Sequence, residues 1–349
     1  MIILLKRFTC LSLVLALLLG NIQVKAAGKS LNVEARCAIA IDADSSAVLY
    51  EKNSHELVPM ASTTKIMSAL VAIKYGDLDK KVEISQKAAN IGGSTVGYKK
   101  GEMVSIKELI TGLMLRSGND AAVALSEGVA GSVDEFVIRM NEYGSEIGLI
   151  DTHFESPHGL DSTMHYTTVY DLALLTAKAK ENELFNQIVS SKIVDGTSQG
   201  FTRSYQNINK ILWLIPEADG VKTGYTGNAG KCLVTSVNNQ GNNVVIVLLN
   251  CTKRWGETKK INDYISENYT YKKMFSKGDI AGEIQYKKGS LKMVYPHDII
   301  IPMLKNKEYY VKIIKPEYAE DIKTGDSIGR ICIYAEDKLV YSHSLTASD

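Results

Sequence analysis

Hydrophobic and polar positions change period along the chain, and each change marks a structural element. "RCAIAIDADSSAVLY" alternates apolar and polar residues around Asp-Ser-Ser, the pattern of a β-hairpin. "VPMASTTKIMSALVAIKYGD" then moves to a helical period: Ile66, Met67, Leu70, Val71 and Ile73 share a face, with Pro59 and hydroxyl residues before them and Gly76 after. A second helix is predicted over "SIKELITGLMLRSG", where Ser105 and Glu108 form a capping-box pattern. "NDAAVALSEGVAG", "SVDEFVIRMNEYGSEIG" (with a second box, Ser132 and Glu135) and "TTVYDLALLTAKAKEN" continue the helical block. The chain then turns β-rich in "GVKTGYTG", "GKCLVTSVNN" and "NNVVIVLLNCTK", and "WGETKKINDYISENY" reads as a closing helix. Early strands, a helical middle and late strands predict an α+β fold whose sheet is closed by distant parts of the chain. From about Tyr271 only short strands and turns follow, which predicts a separate small β domain.

Composition narrows the class. The 349 residues are 45% hydrophobic and 23% charged, which suits globular domains. Residues 1–26 hold Lys6, Arg7 and Lys25 and no acid; removing those three from 40 leaves 37 basic against 39 acidic residues, a net of −2. A body so nearly neutral argues against a nucleic-acid partner, because phosphate neutralisation carries that affinity. Lys6 and Arg7 precede an apolar run from Phe8 to Leu19, and "VKA" precedes Ala27, so residues 1–26 are expected to be an export signal cleaved after Ala26, or else an uncleaved anchor. The organisation expected is thus 1–26 signal, 27–270 catalytic domain and 271–349 small β domain, in an exported protein. Cys37, Cys232, Cys251 and Cys332 lie at irregular spacing, three of them in apolar runs, and read mainly as small buried hydrophobes; a Cys37–Cys251 bridge stays open.

The chemistry concentrates in three short patterns. Ser62-Thr63-Thr64-Lys65 is the sole Ser-x-x-Lys, and its i,i+3 spacing brings hydroxyl and amine to one helical face. A serine needs a base to become a nucleophile, and lysine serves only if burial or a second cation lowers its pKa. Ser117-Gly118-Asn119 interrupts two predicted helices, where side chains can enter a cleft, although it also reads as a helix stop followed by an N-cap. Lys-Thr-Gly occurs twice: Lys222-Thr223-Gly224 on a predicted strand, and Lys323-Thr324-Gly325 before Asp326 at a predicted turn, which reads as solvated loop.

In this order the three patterns resemble the penicillin-binding proteins and serine β-lactamases. "VPMASTTKIMSALVA", "GEMVSIKELITGLMLRSGNDAAVALSEGVAGS", "FVIRMNEYGSEIGLIDTHFESPHGLD", "HYTTVYDLALL" and "DGVKTGYTGNAGKCLVTS" are together similar to the low-molecular-mass D-alanyl-D-alanine carboxypeptidases, over about Ala35 to Tyr269. The small β domain also resembles that family's C-terminal domain. The resemblance implies an α+β catalytic domain, an antiparallel sheet plus a helical subdomain, followed by a small all-β domain. It implies Ser62 as nucleophile, Lys65 as its base, and Ser117 with Lys222 relaying the proton to the leaving D-alanine. Asn119 is implied to hold the substrate amide beside Lys65, and Thr223, helped by Arg254, to receive the terminal carboxylate. The backbone N–H groups of Ser62 and Tyr225, the latter beside Gly224, would form the oxyanion hole. The expected substrate is a peptidoglycan stem peptide ending in D-Ala-D-Ala, with β-lactams as covalent inhibitors and with no metal or cofactor. Many members end in an amphipathic membrane helix; none follows "VYSHSLTASD", so release outside the membrane, or tethering by an uncleaved signal, is expected.

Three other readings compete. Glu183 and Asn186 in "ENELFN" have the spacing of a β-lactamase water site, though they also read as a charged helix end. His153, His158, Asp161 and His165 fall within thirteen positions and could ligate zinc, but in a Gly/Pro-containing loop rather than at i,i+4 on a helix. A non-catalytic penicillin sensor would keep the same fold.

Overall fold

The computed structural model describes residues 31–349 apart from 240, 287, 288, 317 and 320, so the export reading of residues 1–26 lies outside the described residues. The predicted hairpin is β1 (Cys37–Asp42) and β2 (Val48–Lys52), and the late strands are β3 (Ala218–Thr226), β4 (Gly230–Asn239) and β5 (Asn242–Leu249). They form one antiparallel sheet in the order β2-β1-β5-β4-β3. β1 and most of β5 are buried, because α5 (Val169–Lys180) packs against both and α7 (Arg254–Asn268) against β4 and β5. Covered strands of this kind need continuous apolar runs such as "VVIVLL", whatever the pairing direction.

The helical block comprises α1 (Lys65–Tyr75), α2 (Ile106–Leu115), α3 (Asn119–Ala130), α4 (Val133–Glu146), α5, and α6 (Glu183–Ser190). Residues 65–72 of α1 are all buried, and α2, α3, α4 and α5 surround it; a helix apolar nearly all round belongs at the centre. Ser105 and Ser132 accept the N–H of Glu108 and Glu135 at 3.2 and 3.1 Å, as their capping patterns predict. The Ser105 box closes only halfway, however. The buried Glu108 carboxylate accepts instead from Thr202 N, Thr202 Oγ1 and Tyr205 Oη, joining α2 to the distant 202–205 segment.

α6 was not foreseen from periodicity. Asn182 caps it by accepting Phe185 N at 3.0 Å, so "ENELFN" starts a new helix rather than ending one. Beyond α7, β6 (Tyr269–Phe275) pairs with β9 (Ile299–Leu304). β7 (Ile280–Tyr286), β8 (Gly289–Val294), β10 (Tyr309–Ile314), β11 (Tyr318–Ala319), β12 (Ser327–Ala335) and β13 (Lys338–Ser348) form a second sheet in the order β10-β12-β13-β8-β7-β11. This part has its own apolar cluster around Met293, Ile331, Ile333 and Leu345. All four described cysteines are free thiols; Cys37 and Cys251 bond to Glu56 and to the Glu34 carbonyl, not to each other.

Candidate active site

The site assembles where α1, the α2–α3 junction and β3 converge. Ser62 lies in a 3₁₀ turn, Ala61–Thr64, immediately before α1. Side chains at i and i+3 eclipse in a 3₁₀ turn, so Ser62 and Lys65 stack more directly than a regular helix start would allow. The Lys65 Nζ to Ser62 Oγ distance is 2.8 Å.

Lys65 is fully buried, and its amine has two further neighbours: Asn119 Oδ1 at 2.8 Å and the His158 carbonyl at 2.7 Å. Burial holds its pKa well below the usual lysine range, and the positive charge of Lys222 lowers it further. A neutral amine has two N–H bonds and one lone pair. Asn119 Oδ1 and His158 O can only accept, so they take both N–H bonds and leave the lone pair for the Ser62 hydroxyl proton. The Asn119 amide is oriented by its other end, since Nδ2 donates to Gly92 O at 2.7 Å. Each end of this amide therefore has one partner in the protein.

Ser117 sits at φ +61° between α2 and α3, 4% exposed. Among the described residues no hydrogen bond joins its hydroxyl to Lys65 or Lys222. The next residues clamp a loop: Asp120 accepts from the N–H groups of Val96, Gly97 and Tyr98, and Asn119 N donates to Ser94 O. Asp120 lies inside the first turn of α3, whose N-cap is Gly118, and so is not the cap itself.

β3 supplies the facing wall. Lys222 is buried and donates to Thr223 O at 3.0 Å; burial, then the Arg254 charge, brings its pKa down to about 7. Thr223 is nearly buried beside it. At Gly224 a Cβ would stand 3.2 Å from Ser62 N and 3.1 Å from Ala61 Cβ, so a larger residue would push the strand and the nucleophile turn apart by a few tenths of an ångström. The ring of the next residue, Tyr225, is 67% exposed. Arg254, opening α7, donates through Nη1 to Gly224 O (2.8 Å) and Cys232 O (3.0 Å), while its buried Nε has no partner.

The residues of the competing clusters have other partners. Glu183 is exposed on α6, where it accepts from Gln187. His153 bonds to Met164 O, His158 to Leu160 N, His165 to Thr64 and Glu155 N, and Asp161 to Thr226 Oγ1 and Asn228 N. Among the described residues no group of three or more His, Cys, Asp or Glu is arranged to hold a metal. Lys323 lies in an exposed turn, where its N–H is capped by Asp326. Sequence reasoning missed the carbonyls of Gly92 and His158 that position Asn119 and Lys65, since a backbone carbonyl carries no residue signature. It also passed over Thr64 and Gly159.

Residues 23–253 match the family described as D-alanyl-D-alanine carboxypeptidase, and residues 269–349 the C-terminal domain of penicillin-binding protein 5. The chain is 34% identical to D-alanyl-D-alanine carboxypeptidase DacF of Bacillus subtilis, over 75% of this chain and 69% of that protein. It is 30% identical to DacD of Escherichia coli, over 86% and 83% of the two chains. Penicillin-binding protein 5 of Haemophilus influenzae superposes with a TM-score of 0.79 at 27% identity, covering 91% of this chain and 97% of that one.

Proposed function

The chain belongs to the D-alanyl-D-alanine carboxypeptidase family of serine peptidases, and from that premise we propose how its own residues divide the reaction on peptidoglycan. Ser62 Oγ attacks the carbonyl of the penultimate D-alanine while its proton passes to the Lys65 lone pair. The observation that carries this reading is the three-way setting of Lys65: buried, its N–H bonds taken by Asn119 and His158, its third direction facing Ser62. The oxyanion collects on the backbone N–H groups of Ser62 and Tyr225, where one well-placed donor is worth about 10²–10³ in rate. Gly224 lying against Ser62 supports that pairing.

The leaving D-alanine nitrogen takes its proton through Ser117 and Lys222. Thr223, helped by the charge of Arg254, which is bonded to the backbone of β3 at Gly224, receives its carboxylate. Water then attacks the acyl-enzyme. A β-lactam acylates Ser62 in the same way, but its leaving group stays tethered and the ester turns over slowly. Purified protein should release D-alanine from a peptide ending in D-Ala-D-Ala and turn over a chromogenic cephalosporin only slowly. Fast cephalosporin hydrolysis without D-alanine release would favour a β-lactamase instead.

The two Lys-Thr-Gly copies give a sharper comparison. Lys222→Ala should cut kcat/KM by about 10²–10⁴-fold, the usual range for a lost proton-transfer group, whereas Lys323→Ala should leave it unchanged. After burial, the Lys222 charge is the second cause that lowers the Lys65 pKa. Removing it raises the Lys65 pKa, so the acid limb of the residual kcat/KM profile should move to higher pH. A limb that stays in place, or moves down, contradicts the coupling.

A further inference from the structure

The residue before the nucleophile, Ala61, has φ +49°, a left-handed conformation that costs a residue with a Cβ roughly 1–2 kcal/mol. Such a conformation persists only where surrounding contacts over-determine it. Here a single chain of hydrogen bonds ends on the Ala61 carbonyl. Glu155 N donates to His165 Nδ1 at 2.9 Å, and His165 Nε2 lies 2.7 Å from Thr64 Oγ1, whose own proton goes to Ala61 O at 2.7 Å. Each donor has one proton, so the direction is fixed. Nδ1 must accept, Nε2 must carry the hydrogen, and Thr64 must accept from it. Burial, the main cause, lowers the His165 pKa to about 4, which keeps the ring in the neutral form that this chain requires.

The same loop touches the turn and the first turns of α1 at other points. Gly159, at φ +81°, lies so close that a Cβ there would overlap Ala61 O. Pro157 O accepts from Ser68 Oγ at 2.6 Å, and His158 O holds Lys65. We propose that His165, acting through Thr64, is a positioning residue that locks the Ala61 carbonyl and so aims Ser62 at Lys65 and at the reacting carbonyl. The inference rests on Ser62 being the nucleophile.

The test measures the second-order rate constant for acylation by a penicillin, with the adduct mapped by mass spectrometry and folding checked by circular dichroism. Thr64→Val, which keeps the shape and removes the hydroxyl, should acylate about 10²-fold more slowly, the order expected when a reacting group is misplaced by about an ångström. Thr64→Ser should restore most of the rate. His165→Ala should cause a similar loss in wild type and no further loss in the Thr64→Val background, because both changes break one chain. A merely structural histidine would give losses that multiply. Wild-type acylation by Thr64→Val with the adduct on Ser62, or multiplying losses, would overturn the inference alone. An adduct on another residue would overturn the nucleophile assignment and the inference with it.

Discussion

Ser62→Ala is expected to abolish both D-alanine release and the penicillin adduct, with kcat falling on the order of 10⁶-fold, as when other serine hydrolases lose their nucleophile. The size of the effect follows from the geometry. The Ser62 hydroxyl is the oxygen placed against the Lys65 lone pair and beside the Gly224–Tyr225 backbone, and no other hydroxyl bonds to that amine among the described residues. Deleting one oxygen from this half-buried side chain, with Lys65 still held by Asn119 and His158, should cost about 1 kcal/mol of stability. The variant should therefore fold and still bind substrate. A mass increment after penicillin treatment of Ser62→Ala would mean that another residue is acylated.

Lys65→Met is expected to lower kcat/KM by about 10²–10⁴-fold, the contribution of a positioned general base. Methionine approximates the stem of the lysine without its amine, so the loss should come from chemistry more than from packing. Two opposing terms act on stability. Asn119 Oδ1 and His158 O each lose a buried donor, at about 1–3 kcal/mol for a group left unsatisfied. Against this, the fold no longer confines an amine whose charged form burial penalises. The terms partly cancel, so the melting temperature should stay within roughly 5 °C of wild type while activity collapses. Activity within tenfold of wild type would exclude Lys65 as the base.

The parts of the site legible in the sequence were those written in side chains at short spacing. Ser62 and Lys65 are three residues apart where the apolar helical period of α1 begins, and Lys222 lies in a β-rich run. The order of the motifs separated Lys222 from Lys323. What stayed hidden depends on where loops return in space. His158 contributes a carbonyl, not its ring, and Gly92 does the same for Asn119, so residue type carried no signal. The loop histidines and Asp161 looked like a ligand cluster because sequence proximity says nothing about the directions in which side chains leave a turn. Glu108 satisfied a local capping pattern, yet a partner 94 residues away took its carboxylate. Asn119 orients Lys65 in the resting site through Oδ1, and its Nδ2 keeps a second N–H beyond the bond to Gly92 O for the expected contact with the substrate amide.

The burial of α1 on all sides has a further consequence for motion. A segment packed all round opens only with most of the domain, whereas turns with few such contacts fluctuate at much lower free energy. Lys65 stands on the first kind of segment, and the turn that carries Ser62 joins it, since Ala61, Thr63 and Thr64 are buried as well. Base and nucleophile are thus both stationary, with their spacing set before any substrate arrives. Adjustment during the reaction then falls to the substrate and not to the Ser62–Lys65 pair.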